Sequence, residues 1–444
     1  MISKKLLVFV VALFLLAGVE SRAQGVVQQA VPFSSSPHAV GSGARAMGWG
    51  NAFIAVADDA TAASWNPGGL TQLIKPEASV AFSYHSRYED LEFSGLNAGS
   101  DSRSFSRLNL NYASVAYPFN AGGRNMVVSL NYQRLYEFDR DLSYMASGML
   151  AGNSSFTESR ELRQWGALTT VTPAFCIQVI PRLSVGAAVN FWGMEDANNG
   201  WEQEWELETT TKNAAGEVIS REWSDTWEKY QLSGINYVIG VHYKLDSWTF
   251  AAVYKSSWEA DVDYEREYEQ AAVFPKNALA NYHNTFTMDD DQTLVWPESW
   301  GVGAAYRYSD RLTFALDVYT TRWSQYELET DSGDINLLAV NDPEADVSND
   351  AYKVHAGMEY LWILPKYVVA LRTGIFYEPE PFQDEINESY GAALGGGLVY
   401  ENYVLDVAFQ YRAADDMEGE QIRGVASELD SRDILALVSL VYHI

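Results

Sequence analysis

The chain has 444 residues, a formal net charge of −29 and one cysteine, Cys176. So acidic a sequence lacks the basic stripes that nucleic acid requires, and a single cysteine forms no intramolecular disulfide. Six scattered histidines and that cysteine give no zinc or haem spacing, so no metal or other cofactor is expected.

The first element is a targeting segment. Lys4 and Lys5 precede the apolar run LLVFVVALFLLAGV, and Ser21-Arg22-Ala23 ends in small residues. This reads as a secretory signal peptide over residues 1–23, cut before Gln24 and too short in its apolar run to span a membrane. Its removal takes the net charge to about −31. No later apolar stretch reaches the length of a membrane helix, yet aromatic residues make up 14% of the sequence. That combination in an exported chain points to a large β-structure.

Residues 24–75 lack strand patterning. They include AVGSGARAMGWG (39–50), in which Gly41, Gly43 and Ala46 fit the spacing of a dinucleotide-binding loop. Such a loop needs an apolar strand before it, whereas VPFSSSPHA precedes this one, so the small residues are read as packing devices. Ala-dense pieces broken by Gly and Pro suggest short helices, with Asn66 capping a turn that starts at Pro67. Arg45, Asp58 and Asp59 are read as pinning this segment.

From residue 76 onward, period-two alternation recurs. In NYVLDVAFQYR, Tyr403, Leu405, Val407, Phe409 and Tyr411 share one face, and Asp406, Ala408, Gln410 and Arg412 the other. RLTFALDVYT and NMVVSLNYQ alternate likewise, as strands between lipid and a lumen must. Fourteen segments are counted, among them 182–212, 247–262, 292–308 and 311–327, with a hairpin reversal at Asn213–Gly216 between the fifth and sixth. Short links (NAGG, IPR, LDS, SDR, LPK, EN) alternate with long polar stretches near 89–104, 139–160, 263–291, 328–350 and 413–431. Tight periplasmic turns and long outer loops follow this order in outer-membrane barrels. The expected fold is therefore all-β: a transmembrane 14-stranded antiparallel barrel over 76–444, its lumen holding residues 24–75 as a hatch.

At this point the sequence resembles a known family. GARAMGWGNAFIAVADDATAASWNPGGL, with its Ala57–Ala60 A-D-D-A and Asn66-Pro67 box, is similar to the hatch of FadL-like outer-membrane transporters of long-chain fatty acids and hydrocarbons. PESWGVGAAYRYSDRLTFALDVYTTRWSQY and LRTGIFYEPEPF, with Arg372, Gly374, Tyr377 and Pro379, are similar to later parts of that family. Gly68 stands where the family has Ala, and the chain ends in Ile444 in place of a terminal Phe or Trp. The resemblance implies capture of a hydrophobic small molecule from outside, passage beside the hatch, and lateral exit into the outer membrane. It makes Gly43, Arg45, Gly48, Asp58, Asp59, Asn66, Pro67 and Gly68 the hatch and gating residues.

Candidate ligand contacts on the inward face are Lys255, Arg372, Arg412, Leu435 and Leu437. The cations are read first as partners of inward Asp317 and Asp406, since lone charges inside a barrel are costly. The apolar inward face at Leu435 and Leu437 either lines a ligand route or packs on the hatch. Trp165, Trp192, Trp258 and Trp323 are placed near the membrane interfaces. Asp289–Asp291 and Asp415–Asp416 are read as solvated loop surface that could also bind divalent cations bridging lipopolysaccharide. No nucleophile elbow or paired-carboxylate site appears, so no enzyme is expected. The expected partners are the ligand, the bilayer with its lipopolysaccharide, and the barrel-assembly machinery, for a monomer in the Gram-negative outer membrane. The alternative is a barrel subunit of a type IX-like secretion machinery that binds a protein partner.

Overall fold

The computed structural model describes residues 38–39 and 41–444, apart from 94–96, 101–104, 151, 195–198, 331–332, 337–350, 383–384 and 423–424. The signal peptide and most of the following leader lie outside these residues.

Fourteen antiparallel strands form the wall: β1 (Glu77–Phe93), β2 (Phe105–Ala121), β3 (Arg124–Glu137), β4 (Ser154–Ile180), β5 (Leu183–Trp192), β6 (Val218–Leu245), β7 (Trp248–Lys255), β8 (Ser299–Arg307), β9 (Leu312–Thr321), β10 (Ala351–Ile363), β11 (Tyr367–Tyr377), β12 (Ser389–Tyr400), β13 (Tyr403–Ile422) and β14 (Val425–His443). Each pairs with its successor, and β14 closes on β1 from Glu77↔His443 to Phe93↔Ser427. Closure gives every strand two paired neighbours, which limits unpaired N–H and C=O groups in the bilayer, where each costs several kcal/mol.

The two faces follow the alternation. On β13, Leu405 and Phe409 are exposed, whereas Asp406, Ala408, Gln410 and Arg412 are buried. On β14, Ile434, Val438 and Leu440 face out while Leu437 and Val441 face in.

Two features differ from the sequence reading. First, several stretches read as outer loops are paired strands. Residues 140–150 pair with the start of β4, Trp258–Val273 pairs with β6, and Tyr282–Trp296 pairs with Trp258–Val273. Asp289–Asp291 thus lie in a strand. The 28-residue β6 runs roughly 90 Å at ~3.3 Å per residue, far more than the ~10 residues a bilayer needs. The hairpin from Gly200 to Gln231 does reverse at Asn213–Gly216, where Gly216 adopts a φ of 79°.

Second, the segments 182–212, 247–262, 292–308 and 311–327 each contain an interruption: at Gly193–Met194, Ser256–Ser257, Pro297–Glu298 and the 3-10 turn Trp323–Gln325. The buried face changes parity there. Ala251 and Val253 face in before the break, and Trp258, Ala260 and Val262 after it. The change of parity brings Trp258 and Trp296 inward beside Trp192 and Trp323, which keep the inward register of their own strands, and all four are at most 7% exposed. Trp192, Trp258 and Trp323 therefore do not sit at the lipid interface. Trp248, Trp300 and Trp362 are among the outward, exposed tryptophans.

Residues 41–73 lie inside the barrel, and Ile74 and Lys75 are exposed where the chain leaves it. The inner residues comprise α1 (Ala44–Gly48), α2 (Ala62–Trp65) and a 3-10 turn, Pro67–Gln72. Ala46, Ala52, Phe53, Ile54, Ala57, Ala60, Ala62 and Leu70 are fully buried.

Candidate functional site

The inner segment crosses the lumen between two sides of the wall. At one side α1 lies on β12–β14, with Ala44 and Met47 packed against Ala408, Leu435 and Leu437. At the other, the 3-10 turn lies on β3–β6. Small residues make this possible. A methyl group on Gly374 of β11 would lie 2.4 Å from the Gly50 nitrogen, and one on Gly240 of β6 would lie 2.0 Å from Asn66 Oδ1. The opening glycines of the segment thus serve close packing, as Gly48 does against Gly395.

Side chains of the wall satisfy the backbone of the segment. The Gly43 N–H, at a φ of 85°, donates to Asn111 Oδ1 at 3.1 Å, and the Ala44 N–H to Ser439 Oγ at 2.7 Å. The Ile54 N–H donates to Asp317 Oδ2 at 2.8 Å, and Tyr112 donates to the Ala60 carbonyl at 2.7 Å. His355 Nδ1 lies 2.9 Å from the Gly50 carbonyl, and His242 Nε2 3.1 Å from that of Ala55.

Asn66, fully buried, does three things at once. Its Oδ1 accepts from the Gly68 N–H at 2.9 Å, capping the turn whose first residue is Pro67. Its Nδ2 donates to the carbonyls of Ile54 (3.0 Å) and Val241 (3.1 Å). The Gly68 carbonyl accepts from Cys176 Sγ at 3.4 Å.

Arg45 forks onto Asp58 at 2.5 and 3.1 Å and reaches Glu359 of β10 at 3.7 Å. Asp59 accepts from the backbone and hydroxyl of Thr61.

Above this segment lies a cavity with about 1430 Å³ of unfilled space, counting the part open to solvent. Its floor is Gly41, Asn51, Ala63, Ser64 and Trp65. One side is aromatic: Trp192 stacks on Trp258 with centroids 4.8 Å apart and planes 1° from parallel, Trp296 lies 6.2 Å beyond, and Tyr136 is 5.0 Å from Trp296. Polar groups punctuate it at Gln133, Asn190, Asn236, Lys255, Lys353, His355 and Glu378.

The three inward cations have different surroundings. Arg372 is held by Glu359 and Asp406, each at 2.6 Å, and Arg412 by Glu378. Asp317 pairs with no cation among the described residues; it anchors the Ile54 N–H. Lys255 lines the cavity without an ion pair among the described residues. Leu435 and Leu437 meet the inner segment. The sequence marked Asp317 as an inward partner for the cations and not as a backbone anchor, and it did not mark the Tyr112, His242 and His355 anchors or the aromatic side. Their one signal is a polar residue in the buried register of an otherwise small or apolar face. Among the described residues no group of His, Cys, Asp or Glu is placed to hold a metal ion.

A family model described as outer membrane protein transport protein (OMPP1/FadL/TodX) matches residues 25–429. Solved structures share the fold at low identity. A Pseudomonas aeruginosa FadL homologue matches with TM-score 0.63 and 12% identity, over 90% of this chain and 98% of that one. The Pseudomonas putida toluene transporter TodX matches with TM-score 0.58 and 15% identity, over 92% and 99%. The Ralstonia pickettii toluene transporter TbuX matches with TM-score 0.52 and 15% identity, over 91% and 98%. No curated protein gives a significant match to the sequence. None of these findings favours a secretion subunit.

Proposed function

Because the chain belongs to the outer membrane protein transport family (OMPP1/FadL/TodX), we propose that its lumenal cavity takes up hydrophobic small molecules, long-chain fatty acids or hydrocarbons, from outside the cell. The protein is an outer-membrane barrel, and its substrate enters the lipid phase directly. The observation that carries this reading is a largely aromatic cavity closed below by residues 41–73. A water-filled pore is a poor route for an alkyl chain, which gains about 0.8 kcal/mol per methylene on leaving water.

In this reading residues 24–75 are the hatch, and the exit is lateral. Ladder pairing between β2 and β3 stops at Tyr112↔Gln133, although both strands continue. Beyond that point Tyr136 and Glu137 pair instead with His38–Ala39, and β3 carries a register shift against β4 between Arg134 and Tyr136. Gln133, Leu135 and Tyr136 also line the cavity, so this seam joins cavity and bilayer. Recognition by the barrel-assembly machinery would use β14, where Tyr442 faces outward.

The test is mass spectrometry of apolar compounds released from protein extracted in mild detergent, with growth of a deletion strain on fatty acids or hydrocarbons. A stoichiometric apolar ligand and impaired growth are expected. An empty lumen together with unchanged growth overturns the proposal.

A further inference from the structure

We infer that the cavity selects a planar aromatic molecule carrying one anionic oxygen group, with Lys255 receiving the anion and the stacked tryptophans the ring. This rests on the reading of the cavity as the ligand site.

Besides the outward Trp300, the lining contains seven aromatic residues, Trp65, Tyr136, Trp192, Trp258, Trp296, Tyr319 and Trp323, and few aliphatic ones: Leu135, Val238, Val253 and Ala63. Tyr136, Trp192, Trp258 and Trp296 are fixed by contact with one another, most tightly at Trp192 and Trp258. Rigid ring faces and edges favour another flat π-system over a flexible chain, because aromatic pairs gain from offset and edge-to-face contact beyond buried area. An alkyl chain gains no such term and also loses rotamer freedom on binding.

The charge pattern narrows the class. Lysine 353 acts on Glu378, whose carboxylate is also held by Arg412 and lies 3.3 Å from His355 Nε2. Lys353 and Arg412 thus share the carboxylate of Glu378. Lys255, half-buried at the cavity wall, has no ion pair or hydrogen bond among the described residues. The carboxylate of Glu298, beside the cross-strand partner Ser299, is engaged by Tyr254 at 2.8 Å and Arg322 at 3.2 Å. Gln133 Nε2 is a second buried donor without a hydrogen-bond partner. Lys255 faces the cavity in the register of Ala251 and Val253, and the break at Ser256–Ser257 turns Trp258 toward the same cavity. A neutral hydrocarbon would strip water from Lys255 and return nothing, whereas an anion supplies the missing partner.

The test is equilibrium binding of 2-naphthoate, naphthalene and laurate to the purified full-length barrel in detergent, at a pH where both acids are ionised. The wild type should bind naphthoate about tenfold or more tightly than naphthalene, the effect of one charged hydrogen bond. Lys255→Met should abolish that preference, and Lys255→Arg should retain it, which separates loss of charge from misfolding. Trp258→Leu should weaken naphthoate more than laurate. Equal affinity for naphthoate and naphthalene, no change in Lys255→Met, or tighter binding of laurate overturns the inference and leaves the uptake of hydrophobic molecules standing. Binding of none of the three overturns both.

Discussion

Asn66 offers the sharpest perturbation of the inner segment, because one buried amide holds three backbone groups. In Asn66→Ala the cap on the Gly68 N–H is lost, at about 1 kcal/mol. The Ile54 carbonyl loses its donor and the Val241 carbonyl loses one of its own, adding roughly 1–3 kcal/mol together. The docking of residues 41–73 should weaken by about 2–4 kcal/mol, or roughly 30- to 1000-fold in an opening equilibrium. Asn66→Asp keeps the capping acceptor but sets a carboxylate against two carbonyls, so it should be no milder. Hydrogen-exchange mass spectrometry in micelles reads this directly. Peptides within 41–73 should exchange faster in both variants, while β8–β12 remain as protected as in the wild type. Unchanged exchange in the segment, or faster exchange spread evenly over the barrel, would refute the view that Asn66 ties a separately docked element to the wall.

Arg372→Ala leaves the buried carboxylates of Glu359 and Asp406 without their shared cation, so the denaturant midpoint of the barrel should fall by the equivalent of about 3–5 kcal/mol. Arg372→Lys should recover only part of this, since one ammonium cannot span both acids as a fork does. On the lipid face, Leu316→Arg should cost about 2–4 kcal/mol in refolding titrations into lipid vesicles; an effect near zero would mean that β9 is turned the other way. The Cys176 thiol is fully buried against Gly68, so a maleimide should label it only after the barrel is unfolded by heat. Labelling should become measurable in the native Asn66→Ala protein.

The barrel was legible because its lipid face is written in large apolar residues at every second position, and β9, β13 and β14 keep one phase from end to end of their membrane spans. The outer extensions were not, because beyond the bilayer neither face needs to be apolar. Strands such as Trp258–Val273 carry Glu259, Asp261, Asp263 and Glu265 outward and read as polar loop. The aromatic cavity was hidden by the phase changes. A single alternation run through Ser256–Ser257 or Pro297–Glu298 assigns the tryptophans beyond the break to the wrong face, and so to the lipid interface. Of the inward cations, alternation alone gave orientation, and the Arg372–Asp406 pair was within reach of it. Which of the three remained unpaired depended on Glu359 and Glu378, acids from other strands whose level in the barrel only the register supplies. The anchors Asp317, His242 and His355 belong to the same class. Each is a polar residue in an inward position whose partner is backbone some hundreds of residues earlier in the chain.

The central claim is that residues 41–73 occupy the lumen and rest on named positions of the wall. Thr71 Oγ1 lies 2.6 Å from Ser184 Oγ of β5, close enough for a disulfide between cysteines at those positions. In a Cys176→Ala background, Thr71→Cys with Ser184→Cys should cross-link almost completely on mild oxidation in intact outer membranes. The tether should appear as a mobility shift on unheated gels that reductant reverses. Two free thiols after oxidation of the folded barrel would contradict the account.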